Sequence, residues 1–314
     1  MSSRSHIVVM TPCFNEAGNV ETLYERIRDV FSRLEDYSYE HVFIDNASTD
    51  GTGDVLRGLA RRDRGVKVII NTRNFGHIRS PYHALLQCRG DAVIALASDL
   101  QDPPELIPRF LALWRQGHKV VLGVKTSSKE SWPMSAIRRL GYGVIDRLSE
   151  VKQVRNSTGF GLYDRMFLDV LRTLSDPYPY FRGIVAELGF SYATVEYTQP
   201  RRNQGLTKNN LYTVYDLGAQ GIINHSRVPL RLATLVGFCS AVLSLGAAVI
   251  YLAMKLMFWY DLPLGIAPLI IGLFGLASVQ LFFLGVLGEY VGAIYTQVRS
   301  RPLVVEAERI NFDG

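Results

Sequence analysis

Two uncharged apolar stretches, Leu232 to Met254 and Leu262 to Gly288, constrain this chain more than any other feature. Each exceeds the roughly 20 residues that cross about 30 Å of hydrocarbon as a helix. A core helix of that length in a soluble domain usually keeps a polar stripe, and neither stretch has one. The pattern predicts two transmembrane helices. Arg227 and Arg231 flank the first stretch and Arg299 and Arg301 follow the second, whereas the link between them holds only Lys255 and Asp261. Lysine and arginine gather on the cytoplasmic side, so both outer ends are expected there. Glu289 then falls at the inner membrane edge, within reach of a nearby arginine.

The rest of the chain reads as a soluble domain. A chain of 314 residues that is 48% hydrophobic can bury a large core and still supply a bilayer with apolar sequence. Residues 1 to 20 lack the long apolar middle and cleavage site of a signal peptide, because the run Ile7 to Met10 is only strand length, so the N-terminal domain is expected in the cytosol. The β-branched runs Ile7–Met10, His41–Ile44, Val66–Ile70, Ala92–Leu96 and Val120–Val124 alternate with helical spacing. Val20, Leu23, Ile27, Val30 and Leu34 recur at that spacing, as do Leu106, Phe110 and Leu113 after Pro103-Pro104. This is an α/β pattern with a mostly parallel sheet. Lys125 to Arg155 is basic and less regular, and Asn209 to Ser226 is amphipathic with tyrosines suited to headgroup depth. The expected division is a domain over 1–208, an interfacial helix over 209–228, two membrane helices over 229–298 and a cytoplasmic tail over 299–314.

The three cysteines, Cys13, Cys88 and Cys239, are too scattered for a disulfide framework or a zinc site. A net charge of +5 asks for an anionic partner, and by charge alone nucleic acid, anionic lipid and a phosphorylated substrate all qualify.

In an open parallel sheet, ligands bind beyond the carboxyl ends of the strands. Three loops there are polar: Thr11-Pro12-Cys13-Phe14-Asn15-Glu16, Asp45-Asn46-Ala47-Ser48-Thr49-Asp50-Gly51-Thr52, and Ser98-Asp99-Leu100-Gln101-Asp102-Pro103-Pro104. Singly, Asn15 or Asp50 reads as the cap of a following helix, and Asp102 before two prolines as an N-cap. Together they gather carboxylates that repel one another unless a cation and a donor-rich ligand compensate, and a nucleotide diphosphate with a divalent metal supplies both.

These loops resemble those of the inverting family 2 glycosyltransferases of the GT-A fold. The whole chain resembles the polyprenyl-phosphate glycosyltransferases, which include dolichyl-phosphate mannose synthase and the GtrB-type enzymes. Asn74-Phe75-Gly76-His77 and Arg202-Asn203-Gln204-Gly205-Leu206-Thr207-Lys208 occur with the three loops in the family's order. The resemblance implies a GT-A (nucleotide-sugar-binding, Rossmann-like) domain with a C-terminal two-helix transmembrane domain. It implies that Pro12, Phe14, Glu16 and Asp45 hold the base and ribose, with Asn15, Ser48, Asp50 and Asp99 among the donor contacts. Asp99 and Gln101 would hold Mg2+ or Mn2+, and Asp99, Asp102, Arg202 and Lys208 are the catalytic candidates. The implied reaction moves a sugar from a UDP- or GDP-sugar to undecaprenyl or dolichyl phosphate at the cytoplasmic membrane face, in a homo-oligomer, with a tetramer as one form. No nucleic-acid partner is expected.

The chain departs from the family pattern twice. Where many relatives have Asp-Xaa-Asp it reads Ala97-Ser98-Asp99, and Gly159 and Gly161 stand where relatives carry an aspartate and an arginine. That aspartate is the usual candidate base, so Asp102 and Asp164 remain as nearby carboxylates. The second pKa of a phosphate monoester is near ~6, so an acceptor phosphate is already ionised at neutral pH and positioning can carry the step. Two other readings compete, and a third, a dehydrogenase, fits poorly because its glycine signature does not follow the first strand. A polysaccharide synthase would carry a Gln-Xaa-Xaa-Arg-Trp signature and more spans, a degenerate binding scaffold would explain Ala97 and Gly159, and a dehydrogenase would need a Gly-Xaa-Gly-Xaa-Xaa-Gly after the first strand. Outside these motifs, His77 and His83 read as loop or core histidines, Arg61, Arg62 and Arg64 as a solvated helix end, Trp114 as a core or interface anchor, and Trp259 as a membrane-boundary residue.

Overall fold

The computed structural model describes residues 4–126, 154, 157–176, 179–199, 228–257, 266–299 and 301–312. The basic stretch after 126, the interfacial stretch and the loop from Arg202 to Lys208 lie outside the described residues.

Alternation along the first strand builds the core. In β1 (Ser5–Cys13), Ile7, Val8 and Val9 are each fully buried. Side chains on a strand alternate between faces. Val8 and Met10 accordingly join one apolar layer with Tyr82, Leu85, Tyr163 and Phe167, while Ile7 and Val9 join another with Leu23, Ile27, Phe110 and Leu162. A strand buried on both faces is central, and β1 pairs in parallel with β2 (Tyr37–Asp45) and β4 (Ala92–Ala95). Beyond β2 lies β3 (Val66–Asn71), also parallel.

The covering helices follow from their apolar spacing. α1 (Ala17–Ser32) buries Val20, Leu23, Ile27 and Val30 on one stripe, and each such side chain contributes roughly 1.5–3 kcal/mol by leaving water. α2 (Thr52–Arg62), α3 (Gly76–Gln87) and α4 (Ile107–Arg115) complete the crossovers, with a short 3-10 turn at Pro104–Leu106 before α4.

All five strands expected from sequence are present, the last as β5 (Val120–Lys125). Three further strands complete the sheet, and two of them run against the rest, so six of the eight strands share one direction and the mostly parallel expectation holds within a mixed sheet. β6 (Ser157–Asp164) runs antiparallel between β4 and β5, β7 (Tyr192–Tyr197) lies parallel to β5 at one edge, and β8 (Glu306–Ile310) pairs antiparallel with β3 at the other. The sheet order is β7-β5-β6-β4-β1-β2-β3-β8. These three lacked a strong sequence signal for physical reasons. Glycines interrupt β6, and the edge strands β7 and β8 are half polar, as edges exposed to water commonly are. α5 (Arg165–Thr173) and α6 (Phe181–Glu187) pack behind β6.

Two long helices, α7 (Val228–Met257) and α8 (Ile266–Val298), occupy the apolar stretches and contact one another. Among the described residues one window, Gly275–Gly292 of α8, has the length and apolarity to cross a bilayer, and none of it is buried inside the protein.

Candidate active site

The loops leaving β1, β2, β3 and β4 meet at one edge of the sheet and are stitched together by side chains. Asn15 takes a left-handed backbone (φ 59°), which asparagine tolerates better than most residues. Its N–H donates to Ser48 Oγ at 2.8 Å, and its Oδ1 accepts from Thr49 N at 2.8 Å, so the first and second loops are locked reciprocally. Glu16 is 9% exposed. Its N–H donates to Thr52 Oγ1 at 2.9 Å, and its carboxylate accepts from Asn19 Nδ2 at 2.6 Å.

Asp50 caps two helices at once. It accepts from Ala17 N, the first residue of α1, at 3.0 Å and from Thr52 N, the first residue of α2, also at 3.0 Å. Partial burial opposes ionisation, yet the bonds from Thr52 and Ala17 outweigh it and hold the carboxyl below the usual range. Asp45 is 2% exposed, and burial pushes its pKa up while Ser48 N–H and Oγ donate to the carboxylate and offset part of that shift.

The fourth loop, from Ala97 to Asp102, is joined to the first through Ser98 Oγ, which donates to Pro12 O at 2.9 Å. Asp99 Oδ1 accepts from Gln101 N at 3.1 Å, and its second oxygen accepts no hydrogen bond among the described residues. Gln101 Oε1 accepts from Gln199 Nε2 at 2.9 Å. Leu100 sits at φ 59°, costly for a branched side chain and sustained only where surrounding contacts over-determine it. Of the four non-glycine residues with positive φ among those described, Asn15, Ala47 and Leu100 fall in these loops.

Asp102 faces inward. It is 6% exposed, with Ala97 N donating to one carboxylate oxygen at 3.2 Å and the Tyr197 hydroxyl to the other at 2.9 Å. Burial raises its pKa. Asp164 lies at the opposite sheet edge, because it pairs in register with Ala92 at the start of β4. There it caps α5 through Met166 N at 2.8 Å and accepts from Trp114 Nε1 at 2.7 Å. It is therefore no neighbour of Asp99. Gly159 has φ +91° with no described atom within 4 Å of an added Cβ, whereas a Cβ on Gly161 would lie 2.3 Å from Val121 O.

Sequence reading missed the third loop's anchor. Asn46 Nδ2 donates to Asn74 Oδ1 at 2.8 Å and its Oδ1 accepts from Phe75 N at 2.9 Å and from Asn71 Nδ2 at 3.1 Å. The signal available was a polar residue closing an otherwise apolar strand at Asn71, beside Asn74.

A hard divalent cation takes oxygen ligands and keeps few from protein when phosphates supply the rest. The open oxygen of Asp99 fits that donor set. The Gln101 amide oxygen, which accepts from Gln199 Nε2, is a hard oxygen donor of the same kind. Among the described residues no group of three or more His, Cys, Asp or Glu side chains forms a ready metal cage. The fit is to a cation shared with a ligand.

With this geometry in place, sequence comparison is decisive: a model described as glycosyl transferase family 2 matches residues 8–172. The chain belongs to that family. This family 2 glycosyltransferase is 32% identical to an uncharacterized glycosyltransferase of Synechocystis sp. over 96% of the chain and 94% of that protein. It is likewise 32% identical to the bactoprenol glucosyl transferase of Shigella phage SfII, over 94% of the chain and 96% of that protein. Among solved structures, the mannosyltransferase PcManGT of Pyrobaculum calidifontis, in complex with GDP-Man and Mn2+, aligns over 95% of this chain and 88% of that one with 16% identity and a TM-score of 0.47. Family membership bears out the GT-A-like α/β class that the resemblance implied.

Proposed function

We propose that this glycosyltransferase transfers a sugar, with inversion, from a UDP- or GDP-sugar to a polyprenyl phosphate, undecaprenyl or dolichyl phosphate, at the cytoplasmic face of a membrane. The observation that carries the reading is a polar, carboxylate-bearing site on the same chain as α8, whose Gly275–Gly292 window exposes its apolar surface. Leu276, Phe282 and Leu287 in that window are 49%, 66% and 47% exposed. Exposed apolar area of that extent is unfavourable in water and favourable in hydrocarbon. The bactoprenol acceptor in a relative's name supports the same substrate.

In this reading the first and second loops hold the nucleotide, through Pro12, Phe14, Asn15, Glu16, Asp45, Ser48 and Asp50. Asp99 and Gln101 hold Mg2+ or Mn2+ beneath the diphosphate. When bound, the cation neutralises charge growing on the departing diphosphate. An acceptor phosphate oxygen attacks the anomeric carbon as the bond to the nucleoside diphosphate breaks, and the diphosphate leaves with the electron pair. No strong base is needed, since the acceptor is ionised above its second pKa of about 6. Asp102 serves by fixing the loop that carries Asp99. Arg202 and Lys208, outside the described residues, are assigned to the phosphates, where a forked guanidinium and an ammonium add charge-assisted contacts. Both α7 and α8 span the bilayer, with the termini cytoplasmic and self-association, as a tetramer, through these helices.

The test uses membranes carrying the full chain, undecaprenyl phosphate, Mg2+, and radiolabelled UDP-glucose or GDP-mannose. A labelled product soluble in chloroform and released by mild acid is expected with one donor. Polymer would favour a synthase, and no product with any nucleotide-sugar in a wider panel would favour a binding scaffold.

A further inference from the structure

We propose that β8, the strand reached from the end of α8, positions the third loop of the donor site and thereby sets nucleotide-sugar affinity; this rests on the reading of the site given above.

The connection is a continuous series of hydrogen bonds. β8 pairs with β3 at the point where β3 turns into the site: Asn71 opposes Glu306, with a register shift between Ile70 and Asn71. One residue on, Thr72 donates to Val305 O twice, from its N–H at 2.9 Å and its Oγ1 at 3.2 Å. From Asn71 the path enters the loop, because Asn71 Nδ2 donates to Asn46 Oδ1 at 3.1 Å and to Ser80 Oγ at 3.0 Å. Asn46 Nδ2 in turn donates to Asn74 Oδ1 at 2.8 Å and Gly76 O at 3.2 Å, while Asn74 Oδ1 also accepts from Gly76 N at 2.7 Å. Asn46 directly follows Asp45, a candidate donor contact.

The attachment of β8 combines apolar packing, of Ile310 and the flanking Leu303, Val304 and Phe312, with polar contacts. Glu306, Glu308 and Arg309 are charged, and the polar contacts are an ion pair of Glu308 with Arg57 at 2.8 Å, Glu306 with His83 Nε2 at 2.6 Å, and Asn311 Nδ2, just past the strand, donating to Ala60 O at 2.7 Å and Val66 O at 2.8 Å. A strand that only shielded the β3 edge would need ladder bonds alone. Here the strand also meets the residues that shape the loop, so displacing it removes the bonds that hold Thr72 and the alignment of Asn71.

The experiment uses the full chain in nanodiscs, with hydrogen exchange at individual amides and donor kinetics read separately. Glu308→Pro breaks the β8 ladder, Glu308→Gln preserves it, and Thr72→Val removes one side-chain bond to Val305. Glu308→Pro is expected to speed exchange at Phe75 and Gly76 about tenfold while β1 and β2 amides stay protected. It should also raise the donor KM about tenfold with kcat within about twofold. Thr72→Val should move both readouts in the same direction, more weakly, and Glu308→Gln should leave them near wild type. Unchanged exchange at Phe75 and Gly76 with β8 amides open would overturn the proposal and leave β8 an edge cover. Should Glu308→Pro also deprotect β1 and β2, Thr72→Val decides, and its having no effect on Phe75 and Gly76 overturns the proposal. Accelerated loop exchange in a chain that transfers no sugar would sink the functional reading and leave the positioning intact.

Discussion

The hydroxyl of Tyr197, on the edge strand β7, donates a 2.9 Å hydrogen bond to Asp102 Oδ1, tying the sheet's far edge to the loop that carries Asp99. Ala97 N occupies the other Asp102 oxygen at 3.2 Å. With both oxygens engaged and the side chain 6% exposed, Asp102 fixes the loop, and in the proposed reaction it acts through that loop.

Replacing Tyr197 by phenylalanine leaves a buried carboxylate oxygen without its donor. The expected loss is about 1.5–3 kcal/mol of unfolding free energy, the worth of a hydrogen bond to a charged group. Denaturant unfolding of both proteins measures it, and a difference near zero would show that water replaces the phenol.

Burial raises the Asp102 pKa above its ordinary 3.8. The folded state then holds this proton to higher pH than the unfolded chain does. The stability contributed is fully present below 3.8 and is lost as pH rises through the folded value. Asp102→Asn cannot titrate, so wild type should gain on the variant as pH falls from neutrality towards 3.8. Parallel stability curves over that window would contradict the assignment.

His41 gives the opposite sign. It is 1% exposed, bonded to Thr11 Oγ1 at 2.9 Å, and burial pushes its pKa from 6.5 down to about 3. The unfolded chain takes up a proton below 6.5 and the folded state does not until about 3, so stability present above 6.5 is lost on acidification. The slope from this one site reaches about 1.4 kcal/mol per pH unit. His41→Gln should flatten that slope in unfolding measurements, and an unchanged slope would assign acid sensitivity to other groups.

Asp99→Asn is expected to lower transfer by about 100-fold or more, on the scale of losing a charge-stabilising contact to the transition state. Chelation of divalent cations should have a comparable effect on wild type. The variant should keep the wild-type melting temperature but lose the extra stabilisation that UDP or GDP gives in the presence of Mg2+, a thermal-shift readout independent of turnover.

The two glycines of β6 should respond differently to alanine. Gly161→Ala sets a Cβ against Val121 O at 2.3 Å, backbone that cannot swing aside, and should cost about 1–3 kcal/mol. Gly159→Ala meets open space among the described residues and should cost only the left-handed conformation at φ +91°, about 1 kcal/mol. Equal losses in parallel unfolding experiments would rule out the steric distinction.

Much of the framework was legible before any fold was known. The runs around Val8, Val42, Val68, Val93 and Val121 are strands because near-continuous β-branched sequence is buried on both faces. The stripe from Val20 to Val30 is a helix because its apolar residues share one face. The glycosyltransferase loops could be found because they follow those strands and carry consecutive polar residues. β8 was not legible, since Glu306-Ala307-Glu308-Arg309-Ile310 looks like a solvated tail until β3 offers it an edge.

Local pattern alone therefore determined the α/β domain, the polar loops beyond its strands and the long apolar helices, because periodicity and loop composition act over a few residues. Only the tertiary structure decided what each polar side chain does. Asp50 caps two helices, Asp102 and Asp164 part to opposite edges of the sheet, and Asn46 joins loops far apart in sequence. Each of those roles depends on which buried donor or acceptor needs a partner, and the folded arrangement brings those partners together.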